Sequence, residues 1–282
     1  MGQKLPLKTK KVEILDIGVN PISLKNAVSL VEKWVNTNKQ YQIVTPNPEQ
    51  IVLAQKNVGF KNVLNKSDLA IPDGIGIVIA MRLINIKNKI LKIKNTNKKL
   101  KILATSYQLP ATRVCGTDLM MELCSLAERR KWRVFLLGGK GGVARQTVKK
   151  LTTNYKLLAA SYHGAKNIKN ETANERREAI KKINQFRPHL LFVAYGAPWQ
   201  ELWIARNLPK LKVKVAMGVG GAFDYTSGRV SRAPAWIRKA GFEWLYRLIK
   251  EPWRIKRQLR LAKFTFLVYK EFLEKRRLVL PN

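Results

Sequence analysis

Short β-like runs alternate with segments of helical period along most of the chain, and this alternation constrains the fold more than any other feature. β-like runs fall at residues 12–19, 42–45, 68–71, 133–137, 157–161, 190–194 and 214–219. Helical patterns fall between them at 24–35, 49–64, 74–83, 118–130, 143–153, 171–186 and 199–206. Pro48 stands where the second helix opens, and a missing N–H is harmless there. Strand and helix in turn predict an α/β fold, a Rossmann-like, mostly parallel sheet with helices on both faces. In such a sheet, ligands bind where the strands end at their carboxyl edge.

Two segments leave the pattern. Residues 85–113 hold seven Lys, one Arg and no acid, and read as a loop or exposed hairpin inserted between two helices. From residue 229 onward one long helical pattern replaces the alternation, with 15 Lys+Arg against 4 Glu. Leu245, Leu248, Pro252, Ile255, Leu259, Ala262, Phe266, Tyr269 and Leu273 make one apolar stripe. Arg247, Lys250, Arg254 and Arg257 repeat with the same spacing about 100° around the helix. Pro252 should kink or break it. A basic amphipathic helix with Trp244, Trp253 and Phe264 suits a membrane interface. The chain thus divides into an α/β domain, residues 1–228, carrying a Lys-rich insertion at 85–112, and a membrane-associating appendage, residues 229–282.

Charge narrows the function. The 282 residues hold 54 Lys+Arg and 18 Asp+Glu, a net charge of +36. That excess implies an anionic partner: nucleic acid, an anionic membrane surface or a phosphorylated substrate. Two cysteines, Cys115 and Cys124, exclude a disulfide framework or a four-cysteine zinc site. Two histidines make a His-rich catalytic metal site a poor expectation. No apolar run approaches the ~18–20 residues of a membrane-spanning helix. The N-terminus has no signal-peptide core, so a reducing, cytosolic location is expected.

Five clusters sit at expected strand ends. Thr45 and Asn47, in Thr45-Pro46-Asn47-Pro48, can hydrogen-bond sugar hydroxyls, or simply make a turn. Asp73, in Pro72-Asp73-Gly74, is either a helix N-cap or a general base. The turn at Gly138-Gly139-Lys140-Gly141-Gly142 brings backbone N–H groups to a helix start, as a phosphate site or a tight structural turn would. It is neither a Walker A loop nor a full GxGxxG fingerprint. Gln200 and Glu201 open a helix after the 190–194 strand. Gly220 and Gly221 allow close backbone approach after the last strand, and Asp224 offers an acceptor for a base or ribose. The topology gathers all five on one rim.

Taken in order, several stretches resemble the WecG/TagA/CpsF family of bacterial glycosyltransferases. They are Thr45-Pro46-Asn47-Pro48-Glu49, Pro72-Asp73-Gly74, Arg113-Val114-Cys115-Gly116-Thr117-Asp118-Leu119, Leu136-Leu137-Gly138-Gly139, Gly196-Ala197-Pro198-Trp199-Gln200-Glu201, Gly220-Gly221-Ala222-Phe223-Asp224, Arg232-Ala233-Pro234 and Phe242-Glu243-Trp244-Leu245-Tyr246-Arg247-Leu248. The resemblance runs from about residue 12 to 260. It implies inverting, metal-independent transfer of a sugar, N-acetylmannosamine in TagA-like members, from a UDP-sugar to undecaprenyl-diphosphate-linked N-acetylglucosamine. No cofactor is implied. The setting would be the inner face of the plasma membrane, in teichoic acid or other surface polysaccharide synthesis, with self-association possible.

By the same resemblance Asp73 stands at the catalytic base, and Thr45, Asn47, Arg113 and Gln200 match other pocket residues. Gly138, Gly139, Gly221 and Asp224 match the nucleotide side. Arg247, Arg254 and Arg257 match a basic appendage that closes over the site and touches the membrane. The chain departs from the family pattern in its Lys-rich insertion, in Trp199 where Lys is common, and in Tyr162-His163-Gly164-Ala165 near the donor. Two other classes compete. A nucleic-acid-binding protein suits the charge, but no helix-turn-helix, zinc-finger or RNP signature is present. A dinucleotide-dependent oxidoreductase would need its fingerprint after the first strand, where Gly18-Val19-Asn20-Pro21 does not match.

Overall fold

The computed structural model describes residues 11–91, 113–239, 241–250, 252 and 255–277. The expected strand at 12–19 is instead a hairpin of β1 (Val12–Ile14) and β2 (Ile17–Val19), paired antiparallel apart from the main sheet. Leu15 and Asp16 make its two-residue turn with φ of 49° and 59°. That is the primed turn hairpins favour, but without the Asn-Gly that announces it. Tertiary contacts supply what the sequence lacks. Leu15 N–H donates to Glu271 Oε2 at 3.1 Å, Asn65 Nδ2 donates to the Asp16 carbonyl at 2.8 Å, and Lys61 pairs with the Asp16 carboxylate at 2.8 Å.

Helix α1 (Leu24–Val35) leads to β3 (Tyr41–Val44), and the expected helix at 49–64 is two: α2 (Pro48–Ala54) and α3 (Val58–Lys66). Asn57 makes the break, because its Oδ1 accepts from Phe60 N–H at 2.9 Å and caps α3. After β4 (Leu69–Ala70), α4 (Ile75–Leu91) runs eight residues past its expected end at Leu83. The start of the Lys-rich stretch is therefore helical, and residues 92–112 lie outside the described residues. Then follow α5 (Gly116–Arg130), β5 (Arg133–Gly138), α6 (Val143–Asn154), β6 (Leu158–Tyr162), α7 (Ala173–Phe186), β7 (Leu190–Ala194), α8 (Trp199–Asn207) and β8 (Val215–Gly218). The C-terminal part holds α9 (Ala222–Ser227), α10 (Ala235–Lys239), α11 (Glu243–Lys250) and α12 (Ile255–Arg277). Pro252 lies between the last two helices, so the long helical pattern is interrupted there as its ring requires.

The main sheet has six strands in the order β4-β3-β8-β7-β5-β6, each neighbouring pair parallel. Its α/β character is as expected. From β5 the chain steps outward to β6, whereas from β7, on the other side of β5, it steps to β8. The connections thus diverge between β5 and β7, and a crevice opens at such a switch point.

Three apolar clusters hold the layers. One packs α1, α5, α6 and α9 on one face of the sheet, and another packs α7 and α8 on the other. The third gathers the hairpin, α2, α3 and α4, and is closed by Phe264 and Val268 of α12. Phe264 is 3% exposed, so it is a core residue and not the interfacial one the sequence suggested. The expected apolar stripe does the reverse. Leu245, Ile255, Leu259, Phe266, Tyr269 and Leu273 are all exposed. The helix packs a different face, because α2 presents its groove to Phe264 and Val268. Arg260 pairs with Glu49 at 2.6 Å beside that contact.

Candidate active site

All six strands run the same way, so the loops after β3, β4, β5, β7 and β8 leave from one edge. The five expected clusters occupy those loops. Their register brings them level: Val44 pairs with Ala70, and Gly138 with Ala194.

Thr45, Asn47, Asp73 and Arg113 gather at the β3–β4 end. The Asp73 N–H donates to the Pro46 carbonyl at 3.1 Å, and the Val114 N–H donates to the Pro72 carbonyl at 3.1 Å. These bonds stitch three separate stretches of chain together. Thr45 is buried and lies against the first turn of α5, where a Cβ added to Gly116 would sit 3.6 Å from the Thr45 hydroxyl. Asn47 has a structural duty, since its Oδ1 accepts from Gln50 N–H at 2.9 Å and caps α2. Asp73 is half-buried and close enough to act electrostatically on both Arg113 and Cys115.

Arg113 is held from the far side. Its Nη2 bonds Glu243 Oε2 and its Nη1 donates to the Arg238 carbonyl at 3.1 Å. Burial works to lower the Arg113 pKa, but the Glu243 hydrogen bond and the fields of Asp73, Cys115 and Glu243 outweigh it and raise it. Glu243, in the first turn of α11, also lies 3.6 Å from Arg232 Nε. Arg232 in turn binds Asp118 Oδ1 at 2.5 Å and the Cys115 Sγ at 3.3 Å. Burial, with Asp73 and Asp118 nearby, pushes the Cys115 thiol up to about 11. Its thiolate is thus scarce at neutral pH.

Of this ion-pair network only Arg113 is named individually by the sequence. Asp118, Arg232 and Glu243 stood only inside longer matching stretches. Their signal was the rarity of acids, two of 18 placed among arginines in so basic a chain.

A second group forms between β5 and β8. Gly138 and Gly139 adopt φ of 92° and 78°. A Cβ on Gly139 would fall 2.3 Å from Val143 Cγ1 and 3.4 Å from Phe223. The turn therefore packs flat on the start of α6 and on α9. Thr147 Oγ1 donates to the Phe223 carbonyl at 3.1 Å, joining α6 to the loop that carries Gly221 and half-buried Asp224.

Gln200 bridges the loops. It is 2% exposed, and its Oε1 accepts from Gly196 N–H and Gly220 N–H, both at 3.0 Å. Its Nε2 donates to Glu201 Oε1 at 2.7 Å. Gln200 thus ties the β7 and β8 loops together from below the rim. Burial raises the Glu201 carboxyl to about 7, and its Oε2 has no hydrogen-bond partner among the described residues.

Arg254 lies outside the described residues, and the Arg247 and Arg257 side chains do as well. Among the described residues no three His, Cys, Asp or Glu side chains cluster so as to hold a metal ion. No described helix is long and apolar enough to cross a membrane.

A family model described as "Glycosyl transferase WecG/TagA/CpsF family" matches residues 12–100 and 99–278. The chain belongs to this family. It is 34% identical over 250 residues to the N-acetylglucosaminyldiphosphoundecaprenol N-acetyl-beta-D-mannosaminyltransferase of Bacillus subtilis (strain 168), covering 88% of this chain and 87% of that protein. It is 30% identical to the protein of the same name from Staphylococcus aureus (strain MRSA252), covering 93% of each. Membership in the WecG/TagA/CpsF family makes the chain a glycosyltransferase, and selects that reading over the oxidoreductase and nucleic-acid alternatives.

Proposed function

We propose that this glycosyltransferase moves N-acetylmannosamine, a hexosyl group, from a UDP-sugar to undecaprenyl-diphosphate-linked N-acetylglucosamine, with inversion and without a metal. The observation that carries this reading is that Asp73 stands close enough to Arg113 on one rim to act on its charge, in a chain whose relatives are named for that transfer. Asp73 takes the proton of the acceptor hydroxyl as that oxygen attacks the sugar's anomeric carbon, and UDP leaves from the opposite face. An inverting transfer needs one such base. Charge then builds on the departing diphosphate, and positioned cations stabilise it. Arg113 is one candidate, with N–H groups beyond those that hold Glu243 and the Arg238 carbonyl. Arg247, Arg254 and Arg257 would add theirs from the appendage. Thr45 and Asn47 line the acceptor side, and Gly138, Gly139, Gly221 and Asp224 the nucleotide side. Gln200 serves as a positioning residue through the two loops it ties.

The setting is the inner face of the plasma membrane, with the appendage of residues 229–282 as the attachment and surface polysaccharide as the product. Exposed apolar side chains support this. Ile75, Ile79 and Leu83 form an exposed row on α4, and Trp244, Leu245 and Ile249 are exposed on α11. The turn that leads into α11 meets α4 where Gly241 faces Ile75, a Cβ on the glycine falling 3.4 Å from the Ile75 Cβ. An apolar face of this extent, on so cationic a chain, suits an anionic lipid surface.

The test is transfer from UDP-N-acetylmannosamine to a short-chain lipid-diphosphate N-acetylglucosamine, with EDTA present, for the wild type and Asp73→Asn. Turnover by the wild type with a fall of about 10²–10⁴ in the variant is expected. Equal turnover would remove Asp73 as the base, and no turnover by either would overturn the substrate assignment.

A further inference from the structure

The opposite edge of the sheet carries its own cavity. The amino ends of β3, β5, β7 and β8 frame an open cleft of about 320 Å³ there, a volume suited to a small ligand. Lys39, Arg133, Arg187, Lys212 and Lys214 line it together with His189, and no acidic residue does.

Five cations around one small volume repel each other, and an anion sharing it relieves that repulsion. The protein does not neutralise them itself. Lys39, Arg133, Arg187 and Lys212 form no ion pair among the described residues. Lys214 Nζ donates to the Thr37 carbonyl at 2.6 Å, which leaves its charge uncompensated. The Arg133 Nε is buried without a hydrogen-bond partner. His189 Nδ1 accepts from Arg133 N–H at 3.0 Å, so the neutral ring carries its proton on Nε2 and presents one more donor.

The walls are fixed in advance. Gln40 Nε2 donates to the Leu211 carbonyl at 2.5 Å, and Asn184 Oδ1 accepts from Lys212 N–H at 2.6 Å. Arg187 ends α7 in the left-handed region, at φ 48°. A preponderance of cationic donors in an acid-free pocket describes a receptor for a compact multivalent anion.

We propose that this pocket binds a soluble phosphate anion of about the size of inorganic diphosphate, at a site separate from the sugar-transfer rim. Its apolar lining residues, Pro188, Leu211 and Val213, are all buried, so none of them would enter a bilayer and the source is a soluble anion rather than a lipid headgroup. The site is independent of the donor and acceptor assigned above, because it lies at the other ends of the strands.

His189 gives a reporter that the rim does not share. Its imidazole resonance, identified by its loss in His189→Gln, is followed in the full chain as inorganic diphosphate is added. A saturable shift is expected, with the His189 pKa rising as the anion offsets Arg133 and Lys214. That pKa is held below its ordinary value by burial first and then by those two cations. The double variant Lys39→Gln/Lys212→Gln should weaken the apparent affinity about tenfold. Lys56→Gln/Lys66→Gln removes the same charge from exposed positions elsewhere and should leave it within about twofold. An unmoved His189 resonance, or equal weakening in both double variants, would overturn the proposal. A shift with phosphatidylglycerol vesicles but not with diphosphate would overturn the soluble source.

Discussion

Glu243 holds Arg113 by its guanidinium from the first turn of α11, so a helix of the C-terminal part is bonded directly to the strand-end rim. Glu243 is 7% exposed, and Arg232 shares its other oxygen. Replacing it with Gln strips a buried carboxylate from two arginines. Breaking such a pair costs about 3 kcal/mol, and the thermal midpoint should fall by several degrees. A double-mutant cycle with Arg113→Gln should return a coupling of about 1–3 kcal/mol, and simple additivity would show that the pair does not matter.

Glu201 makes stability depend on pH in an unusual direction for a carboxylate. Its folded pKa, about 7, lies above the ordinary value because burial penalises the charge. The folded state then binds the extra proton. Its contribution is fully present below the unfolded pKa and is lost as pH rises through about 7. Glu201→Gln keeps an acceptor for Gln200 Nε2 and carries no charge. It should remove that decline, leaving the variant more stable than the wild type at pH 8 by up to about 3 kcal/mol, as denaturant titrations at pH 5 and pH 8 would measure.

Gly139→Ala tests the tight turn after β5. The new Cβ would meet Val143 Cγ1 at 2.3 Å, in a backbone whose φ of 78° already disfavours it. A loss of about 2–4 kcal/mol is expected, with a raised KM for the nucleotide-sugar. An unchanged melting curve would show that the turn relaxes freely.

Two aromatic residues two positions apart on α12 should behave oppositely. Phe264→Ala empties a closed core and should cost about 3–5 kcal/mol. Phe266→Ser, together with Tyr269→Ser, should leave the melting temperature nearly unchanged, since both side chains are exposed. The same pair should weaken binding to anionic vesicles about tenfold. Vesicle binding unaffected by the pair would move the lipid contact elsewhere.

Those two residues also mark how far the sequence could be read. Periodicity located α1 and β7 to the residue, because buried strands and amphipathic helices write their own period. It could not say which of two apolar rows on α12 meets the protein, since both repeat at the same spacing and the deciding groove belongs to α2. The hairpin at 12–19 was hidden for a related reason, as contacts from Asn65, Lys61 and Glu271 stabilise a turn that local propensity does not announce. At the site, the strand-end clusters fell on one rim as expected, because parallel topology leaves no other arrangement. Which of their atoms are already committed was invisible: the Asn47 oxygen caps a helix and the Gln200 oxygen takes two backbone N–H groups. So was the ion-pair network, whose members lie up to 130 residues apart.

The third apolar cluster has a consequence for synthesis. Its floor, from Ile14 to Met81, leaves the ribosome well before Phe264 and Val268 that seal it. About 180 residues separate the two, which at roughly 5–20 residues per second is on the order of ten to forty seconds. For that interval the nascent chain carries an open apolar trough, and a chaperone able to occupy it would keep newborn copies from joining through the same groove.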